Sequence, residues 1–176
     1  MSVKKVDGFV MKGCLKLSGV KHSDILPLEA IRVEDHNVGA LMLKHQRTQV
    51  MKEAQMTFFM NVKHVPCSQA LQTIRQLGHQ PAVLSEVESL RSFPRNELQC
   101  LFAMADEHAR KRSLKRPYVD SLCLPVLGSR VFAGKKEHIP VLLLNRVCGY
   151  YVYDLFHLEE MEHVHPAWMI PIVQLS

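Results

Sequence analysis

The chain has 176 residues and a mass of 20.1 kDa, with 47% hydrophobic and 22% charged residues. This length and composition are typical of one globular domain, and they exclude a disordered chain or a small scaffold that needs disulfides or a metal to fold. The formal net charge of +5 permits contact with nucleic acid or an acidic surface. It does not require such contact, because soluble domains often carry a charge of this size.

The cysteines indicate a reducing compartment. They are widely and irregularly spaced, include no Cys-x-x-Cys pair, and are Cys14, Cys67, Cys100, Cys123 and Cys148. This pattern predicts buried thiols rather than a disulfide framework. The N-terminus lacks the apolar core of a signal peptide, and the longest aliphatic run covers only residues 141–144. We therefore expect a cytoplasmic protein without a membrane partner.

Residues 1–56 are predicted to form an N-terminal arm or helical extension ahead of the main domain. Segment 9–17 has the composition of a strand, with Gly13 at a bulge or turn. Segment 37–55 has apolar residues loosely on one face and Asn37 in an N-cap position, which predicts a helix.

The main α+β domain is predicted over residues 57–176 and begins with a β-forming segment, 57–62. Ser68 is placed to cap the helix that follows, and Gly78 lies where a left-handed C-cap belongs. The apolar residues of this helix share one face and are Ala70, Leu71, Ile74 and Leu77.

Two further helices are predicted before residue 117. Ser85 and Glu88 form a capping-box pattern for a short helix that runs to about Ser92. Asn96 opens the longer helix, because an apolar stripe follows it at helical spacing. That stripe consists of Leu98, Leu101, Phe102, Ala105 and Ala109.

After Pro117 the hydrophobic period changes to two, which predicts an antiparallel β-sheet. The fold class is therefore α+β, with two or three helices followed by the sheet. The strands are expected near 121–127, 129–133, 139–144, 149–155 and 168–174, with turns at 134–137 and 145–149. The residues expected in the core are Leu71, Ile74, Leu77, Leu98, Leu101, Phe102, Val141, Leu143 and Trp168.

A histidine-rich segment, 157–165, is the candidate metal site. His163 and His165 are two residues apart and would face the same way on a strand. Together with His157 or a carboxylate from Glu159, Glu160 or Glu162, they would suit a divalent ion such as zinc. The alternative is a polar loop with surface histidines, since the segment has no His-Glu-x-x-His motif.

Two other groups of reactive or aromatic residues have structural alternatives. His64 and Cys67 would serve as ligands or a nucleophile–base pair only if they came within reach and had a third orienting group. In the tyrosine-rich segment 150–153, Tyr151 and Tyr153 share one strand face, while Tyr150 shares the other with Val152. We expect at least one of these faces to pack into the core.

The basic run 110–116 is the candidate nucleic-acid site, because clustered cations neutralise phosphates. Its first half also lies in the last turn of a predicted helix, where cations complement the helix dipole without any ligand. No aromatic residue is interleaved to stack on bases. The residues concerned are Arg110, Lys111, Arg112, Lys115 and Arg116.

The segment 68–93, SQALQTIRQLGHQPAVLSEVESLRSF, runs as a capped helix, a glycine, a short apolar strand and a Ser-x-x-Glu-capped helix. This order resembles the first half of C-type-lectin-like domains, in the bacterial and phage branch near the formylglycine-generating and diversity-generating-retroelement variable proteins. The step 127–130 stands where that branch often has Gly-Ser or Ser-Ser. The resemblance implies a C-type-lectin-like fold over 57–176, with the final strand, 168–175, returning beside the first.

The resemblance transfers no ligand residue. The paired cysteines of extracellular C-type lectins are missing, as are the Glu-Pro-Asn or Gln-Pro-Asp and Trp-Asn-Asp triplets that hold calcium and sugar. The formylglycine-generating cysteines cannot be placed either. The resemblance therefore implies an architecture, which by itself fixes no function.

Together these features favour a non-enzymatic binding module for a protein or small ligand, with the hairpins and the histidine-rich loop facing the partner. No catalytic residue and no cofactor is predicted, apart from the divalent metal of the alternative below. One alternative is a nucleic-acid-associated accessory protein that uses the basic run. The other is a metal-dependent enzyme that uses the histidine-rich segment.

Overall fold

The computed structural model describes residues 8–11, 15–17, 21–22, 29–33, 40–41, 50–51, 54–114, 120–133 and 136–175. The predicted α+β class is confirmed, since three helices are combined with sheets whose described pairings are antiparallel apart from one parallel pair. The helices are α1 (Cys67–Gln76), α2 (Leu84–Glu88), which a 3-10 turn (Ser89–Ser92) continues, and α3 (Arg95–Lys111). The strands are β1 (Gly8–Val10), β2 (Leu15–Leu17), β3 (Lys21–His22), β4 (Glu29–Val33), β5 (Ala40–Leu41), β6 (Val50–Met51), β7 (Ala54–Asn61), β8 (Val65–Pro66), β9 (Gln80–Pro81), β10 (Ser121–Pro125), β11 (Ser129–Ala133), β12 (Lys136–Val147), β13 (Tyr150–Leu158), β14 (His163–Val164) and β15 (Ile170–Leu175).

The first sheet joins the two ends of the main domain. β7 pairs antiparallel with β15, and Phe59 lies opposite Ile170. The expected return of the last strand beside the first is therefore confirmed. β1 and β2 lie along the other edge of β7, where the amide of Met11 donates to the carbonyl of Phe58 at 2.8 Å. Gly13, placed by sequence at a bulge or turn, lies outside the described residues.

The helix predicted over 37–55 is wrong where the structure describes it. β5 pairs with β4, β6 pairs with β3, and residues 54–55 already belong to β7. Loose amphipathic spacing is a weak signal, and strand pairing supplies the backbone hydrogen bonds that the helix would have made. The rest of 37–53 lies outside the described residues.

The second sheet is built around β12. β10 and β13 flank residues 141–145 of β12 on opposite edges, and both run antiparallel to it. β11 pairs with the start of β12 and, in parallel, with β4. Because β13 pairs with β12 alone among the described strands, it forms an outer edge of this sheet.

The helices begin differently from the prediction. α1 starts at Cys67 after Pro66, and the amides of Cys67 and Ser68 donate to backbone carbonyls of Glu162 and Glu160. The Ser68 cap is therefore wrong, because another segment already accepts the first-turn amides. The Ser85 capping box is wrong for the same reason. α2 begins at Leu84 with Val83 in the N-cap position, so Ser85 lies inside the helix, and the first amide of α2 donates to a distant serine, as described below.

Both long helices end in a Schellman motif. After α1, the amides of Gly78 and His79 donate to the carbonyls of Arg75 and Ile74, and Gly78 has the predicted left-handed conformation with φ 78°. After α3, the same pattern places Ser113 in the left-handed position, with φ 53°. A residue with a Cβ is strained there.

Ser113→Gly is expected to raise the free energy of unfolding by about 0.5–1 kcal/mol. Glycine relieves the left-handed strain, and the gain is partly offset by the greater flexibility of the unfolded chain. Ala103→Gly is the matched control, because Ala103 is exposed inside α3 and should lose about 1 kcal/mol. Urea unfolding measures both changes. A loss of stability in Ser113→Gly would contradict the motif.

Two clusters of buried side chains lie on the two faces of β7. Met56, Phe58 and Met60 face the cluster that contains α2 and α3 residues, whereas Phe59 faces the cluster around α1. β12 likewise contributes to both clusters: Leu142 and Leu144 belong to the first, and Ile139 and Val141 belong to the second. The following residues are buried as predicted: Leu71, Ile74, Leu98, Leu101, Phe102 and Val141.

Three residues expected in the core are not fully buried. Leu77 is 39% exposed, because α1 ends at Gln76 and Leu77 turns away with the C-cap. Leu143 and Trp168 are half-buried at the margin of the α1 cluster.

A close backbone contact joins the start of α2 to the segment after β10. The amide of Gly128 donates to the carbonyl of Ala82 at 3.1 Å. The hydroxyl of the buried Ser129 accepts from the amide of Leu84 at 2.8 Å and so serves the first amide of α2. A Cβ on residue 128 would lie 2.8 Å from the carbonyl carbon of Ala82.

In the part of the chain that the structure describes, no helix is both long enough and apolar enough to span a membrane.

Candidate functional site

The hairpin of β12 and β13 keeps one register along its length. Nine consecutive pairs join residues 139–147 to the whole of β13. The turn is shorter than the predicted 145–149, since it contains only Cys148 and Gly149, whose φ angles are 48° and 80°. Two left-handed residues in a two-residue turn match the twist of the flanking strands, so the geometry of the hairpin end is well defined.

One face of β13 is packed against the helices, as the tyrosine spacing predicted. The ring of Tyr151 lies 5.7 Å from the ring of Phe102 in α3, centroid to centroid. The hydroxyl of Tyr153 donates to the carbonyl of Leu90 at 2.9 Å. Burial of this phenol raises the pKa of Tyr153.

Two arginines add to this packing. The Arg146 guanidinium lies 4.7 Å from the Phe102 ring centroid and 3.2 Å from the carboxylate of Asp120. Arg91 lies 5.5 Å from the ring of Tyr153. These cation–π contacts hold the hairpin to α3 and to the 3-10 turn.

The opposite face of the hairpin is exposed near the turn. Tyr150 is 75% exposed, Val147 is 51% exposed and Val152 is 45% exposed. Paired residues on adjacent strands share a face, so these side chains form one surface. We call this surface the open face; it consists of Leu143, Asn145, Val147, Tyr150, Val152 and Asp154.

The same sheet face is covered at its other end. Ile139, Val141 and Leu158 are buried in the α1 cluster, and Phe156 packs against that cluster and Trp168. The sheet is therefore supported on one face along its length and on the other over half of it. What remains accessible is an apolar patch with one charge, Asp154. The sequence spacing paired Tyr150 with Val152, and the same period-two spacing extends to Asp154, which was missed. Val147 lies on β12 and is added only by the register.

The metal set His157, His163 and His165 is not brought together. His157 faces His138 with ring centroids 4.5 Å apart, whereas His165 faces His64 at 4.7 Å. His163 is exposed on β14. Within the described ranges, no group of three or more His, Cys, Asp or Glu side chains is arranged to hold a metal ion.

The hydrogen bond of His165 shows what this residue does instead. Its Nδ1 accepts from the amide of Ala167 at 2.9 Å, which requires a lone pair on Nδ1 and leaves the proton of the neutral ring on Nε2. Neither nitrogen then offers a free lone pair to a metal. Burial and the neighbouring His64 lower the pKa of His165. The residue is a neutral structural acceptor in the loop before β15.

Acid is expected to destabilise the protein through His165. Because its folded pKa lies below the ordinary 6.5, the unfolded chain takes up the proton first, and stability falls as pH drops below about 6.5. His165→Asn keeps an acceptor for the amide two residues ahead and does not titrate, so its loss between pH 7 and 5 should be smaller. His163→Asn is the exposed control and should behave like the wild type. Equal losses in all three proteins would contradict this role.

Cys67 and His64 do not form a nucleophile–base pair. Cys67 is fully buried, and its burial raises the pKa of the thiol to about 11. The thiol therefore remains protonated at neutral pH, which removes its nucleophilic form. His64 directs its ring at His165.

Arg112 of the basic run is engaged within the fold. Its Nη2 donates to the carbonyls of Asn61 and Val62 at the end of β7, both at 3.0 Å. Its guanidinium lies 5.0 Å from the ring of Phe9 in β1, and burial lowers the pKa of Arg112. The residue ties the end of α3 to the first sheet and is not placed to meet a phosphate.

The other basic residues differ from Arg112. Lys111 forms an ion pair with Glu107 at 2.8 Å, and this contact lowers the pKa of the glutamate. Arg110 is exposed, and residues 115–116 lie outside the described residues. Nucleic-acid contact through Arg110, Lys115 and Arg116 stays a prediction.

Arg112→Ala is expected to lower the free energy of unfolding by about 1–3 kcal/mol, because it leaves two strand-end carbonyls without their charged donor. Arg110→Ala is the matched control on the same helix end and should change stability by less than about 0.5 kcal/mol. Denaturant unfolding compares the two variants. Equal effects would show that the contact to β7 adds nothing.

Comparison of this chain with family models, with curated proteins and with solved structures finds no match.

Proposed function

We propose that this chain is a non-enzymatic protein-interaction module that binds its partner through the open face. The observation that carries the proposal is the exposure of Val147, Tyr150 and Val152 side by side on a hairpin whose other face is packed. Contiguous exposed apolar residues typically mark interaction sites. Tyrosine supplies much binding energy at such sites because it buries a large rigid ring at little entropic cost.

The support beneath the open face favours tight recognition. Tyr151 and Tyr153 are held by Phe102 and Leu90, so the strand that presents Tyr150 and Val152 does not need to be ordered on binding. A pre-ordered surface avoids part of the entropic cost of association. This is the role that scaffolds provide for recognition segments.

We further propose a C-type-lectin-like architecture for residues 57–176. Three features support it: the antiparallel pairing of β7 with β15, the order of α1 and α2 before the sheet, and the packing of Gly128 and Ser129 against the start of α2. The bacterial or phage origin implied by that resemblance belongs to the same proposal. Among the described cysteines, Cys67 and Cys123 are buried as predicted, whereas Cys100 and Cys148 are exposed, contrary to the prediction. A cytoplasmic location fits these two exposed thiols, which a reducing compartment preserves.

Site-specific photo-cross-linking in the native cell tests the interaction surface. A benzophenone amino acid at Tyr150 is expected to give one discrete protein adduct. The same group at Gln72, an exposed position on α1, should not give it. The further substitution Val152→Lys should abolish the adduct while unfolding of the purified variant stays within about 1 kcal/mol of the wild type.

Two results would overturn the proposal. One is the absence of any adduct from position 150. The other is the same adduct from positions 150 and 72, because that would report abundance rather than recognition.

A further inference from the structure

Among the strands that the structure describes, β13 is the longest one at a sheet edge. It has nine residues, whereas the other described outer strands of both sheets are shorter, and β10 ends in Pro125. Its sequence, YYVYDLFHL, contains no proline, glycine or lysine, and its register with β12 is unbroken by a bulge. Proteins usually protect long edges by such devices, because exposed backbone groups otherwise pair with another chain.

Two hydrogen bonds show which backbone groups of β13 point away from β12. The amide of Arg146 donates to Asp120, and the carbonyl of Pro140 accepts from Val126, both at 2.8 Å and both towards the β10 side. Their partners in register, Tyr151 and His157, therefore form non-hydrogen-bonded pairs with β12.

Alternation along the unbroken register extends this assignment to the whole strand. The N–H and C=O groups of Tyr151, Tyr153, Leu155 and His157 point outward, whereas those of the residues between them bond to β12. The edge thus offers four residues in the spacing that an added strand needs.

The negative charge of Asp154 on the open face disfavours some partner strands and favours others. Asp154 is exposed between Val152 and Phe156, which share its face. A second copy of this chain paired antiparallel over the full length of β13 would place Asp154 opposite Asp154, and like charges directly opposite are unfavourable. A strand with a basic residue between two apolar residues would instead match both the charge and the apolar neighbours.

We infer that an extended segment of a different protein adds to the edge of β13 as a further strand, with an apolar-x-basic-x-apolar pattern against the open face. This inference rests on the proposed function and specifies its partner. Main-chain bonds to the outward groups supply affinity, and Asp154 supplies selectivity.

The test uses two acetylated and amidated peptides with the full-length protein at low salt. One has the sequence Thr-Val-Thr-Lys-Thr-Val-Thr, and the other has Glu in place of Lys. The lysine peptide is expected to bind about five-fold more tightly, and Asp154→Lys is expected to reverse that preference. On binding, the amides of Tyr151, Tyr153 and Leu155 should exchange with solvent more slowly.

A matched pair of variants separates the backbone from the side chain. His157→Pro removes one outward amide without removing a bond to β12. This variant should therefore bind the lysine peptide at least about ten-fold more weakly than the wild type does. His157→Thr removes the same side chain, retains the amide, and should bind like the wild type.

The outcomes distinguish this inference from the proposed function. Equal binding by His157→Pro and His157→Thr, or unchanged exchange of the outward amides, would overturn strand addition. So would failure of both peptides to bind at millimolar concentration. In each case the adduct from position 150 would still decide whether the open face binds a protein.

Discussion

Replacing Phe102 by alanine is expected to lower the free energy of unfolding by about 3–5 kcal/mol. Phe102 is fully buried in the larger cluster and lies under both Arg146 and Tyr151. The substitution removes the buried ring and leaves a cavity that the two sheets cannot close, because β12 is held by strands on both edges.

The Phe102→Ala variant also tests the support of the hairpin. Tyr151 and Arg146 would lose their contact with α3, so the amides at the hairpin end should exchange faster even where the protein remains folded. Gln99→Ala, on the exposed side of the same helix, should change stability by less than about 0.5 kcal/mol. Urea unfolding and hydrogen exchange measure the two effects. A loss below about 1 kcal/mol in Phe102→Ala would show that the helix stripe is misplaced.

The helices and the sheet were predictable because their signals are local. The stripe of α3 and the left-handed Gly78 depend on spacing within a few residues, and both occur as expected. The change to period two after residue 117 likewise identified β10 to β13 of the second sheet, whereas its strands β4 and β5 precede that change and were not predicted.

The helix caps were not predictable, because their partners are distant in sequence. Ser129 serves the first amide of α2 from 45 residues away, and Glu160 and Glu162 serve α1 across a greater separation. Local propensity predicted serine caps at Ser68 and Ser85, but residues from other segments already accept the hydrogen bonds of the first amides in both helices.

The candidate surfaces show the same difference between local signals, which the sequence contains, and distant contacts, which it does not. Period-two spacing was enough to put Tyr150 and Val152 on one face, and it also covers Asp154, whereas Val147 lies on the neighbouring strand and only the register added it. The sequence of the basic run gives the charges but not their partners, so it does not distinguish Arg112 from Arg110. The bonds of Arg112 to the end of β7 make that distinction. Spacing likewise grouped histidines that strand pairing directs to different neighbours.

Gly128→Ala is expected to cost on the order of 2–6 kcal/mol, although it adds a single methyl group. The added Cβ would lie 2.8 Å from the carbonyl carbon of Ala82 and from the carbonyl oxygen of Pro81, which are backbone atoms that no rotamer change can move. Overpacking of this kind costs about 1–3 kcal/mol. Separation of the two segments would also leave the Leu84 amide without the Ser129 hydroxyl, at about 1–3 kcal/mol for a buried donor.

Gly78→Ala is the comparison variant, because it adds the same methyl group at a position where no other atoms are close. Gly78 has a positive φ but no heavy atom within 4 Å of its Cβ position, so the variant should lose only about 1–2 kcal/mol from left-handed strain. Gly128→Ala should exceed it in urea unfolding, and equal losses would contradict the close approach. The damage should also extend to the hairpin, because α2 leads into the turn whose Leu90 carbonyl accepts from Tyr153. Faster exchange at the amides of Val152 and Asp154, which bond to β12 on either side of Tyr153, is expected in Gly128→Ala and not in Gly78→Ala. That result would show that the contact between Gly128 and Ala82 positions the support of the open face.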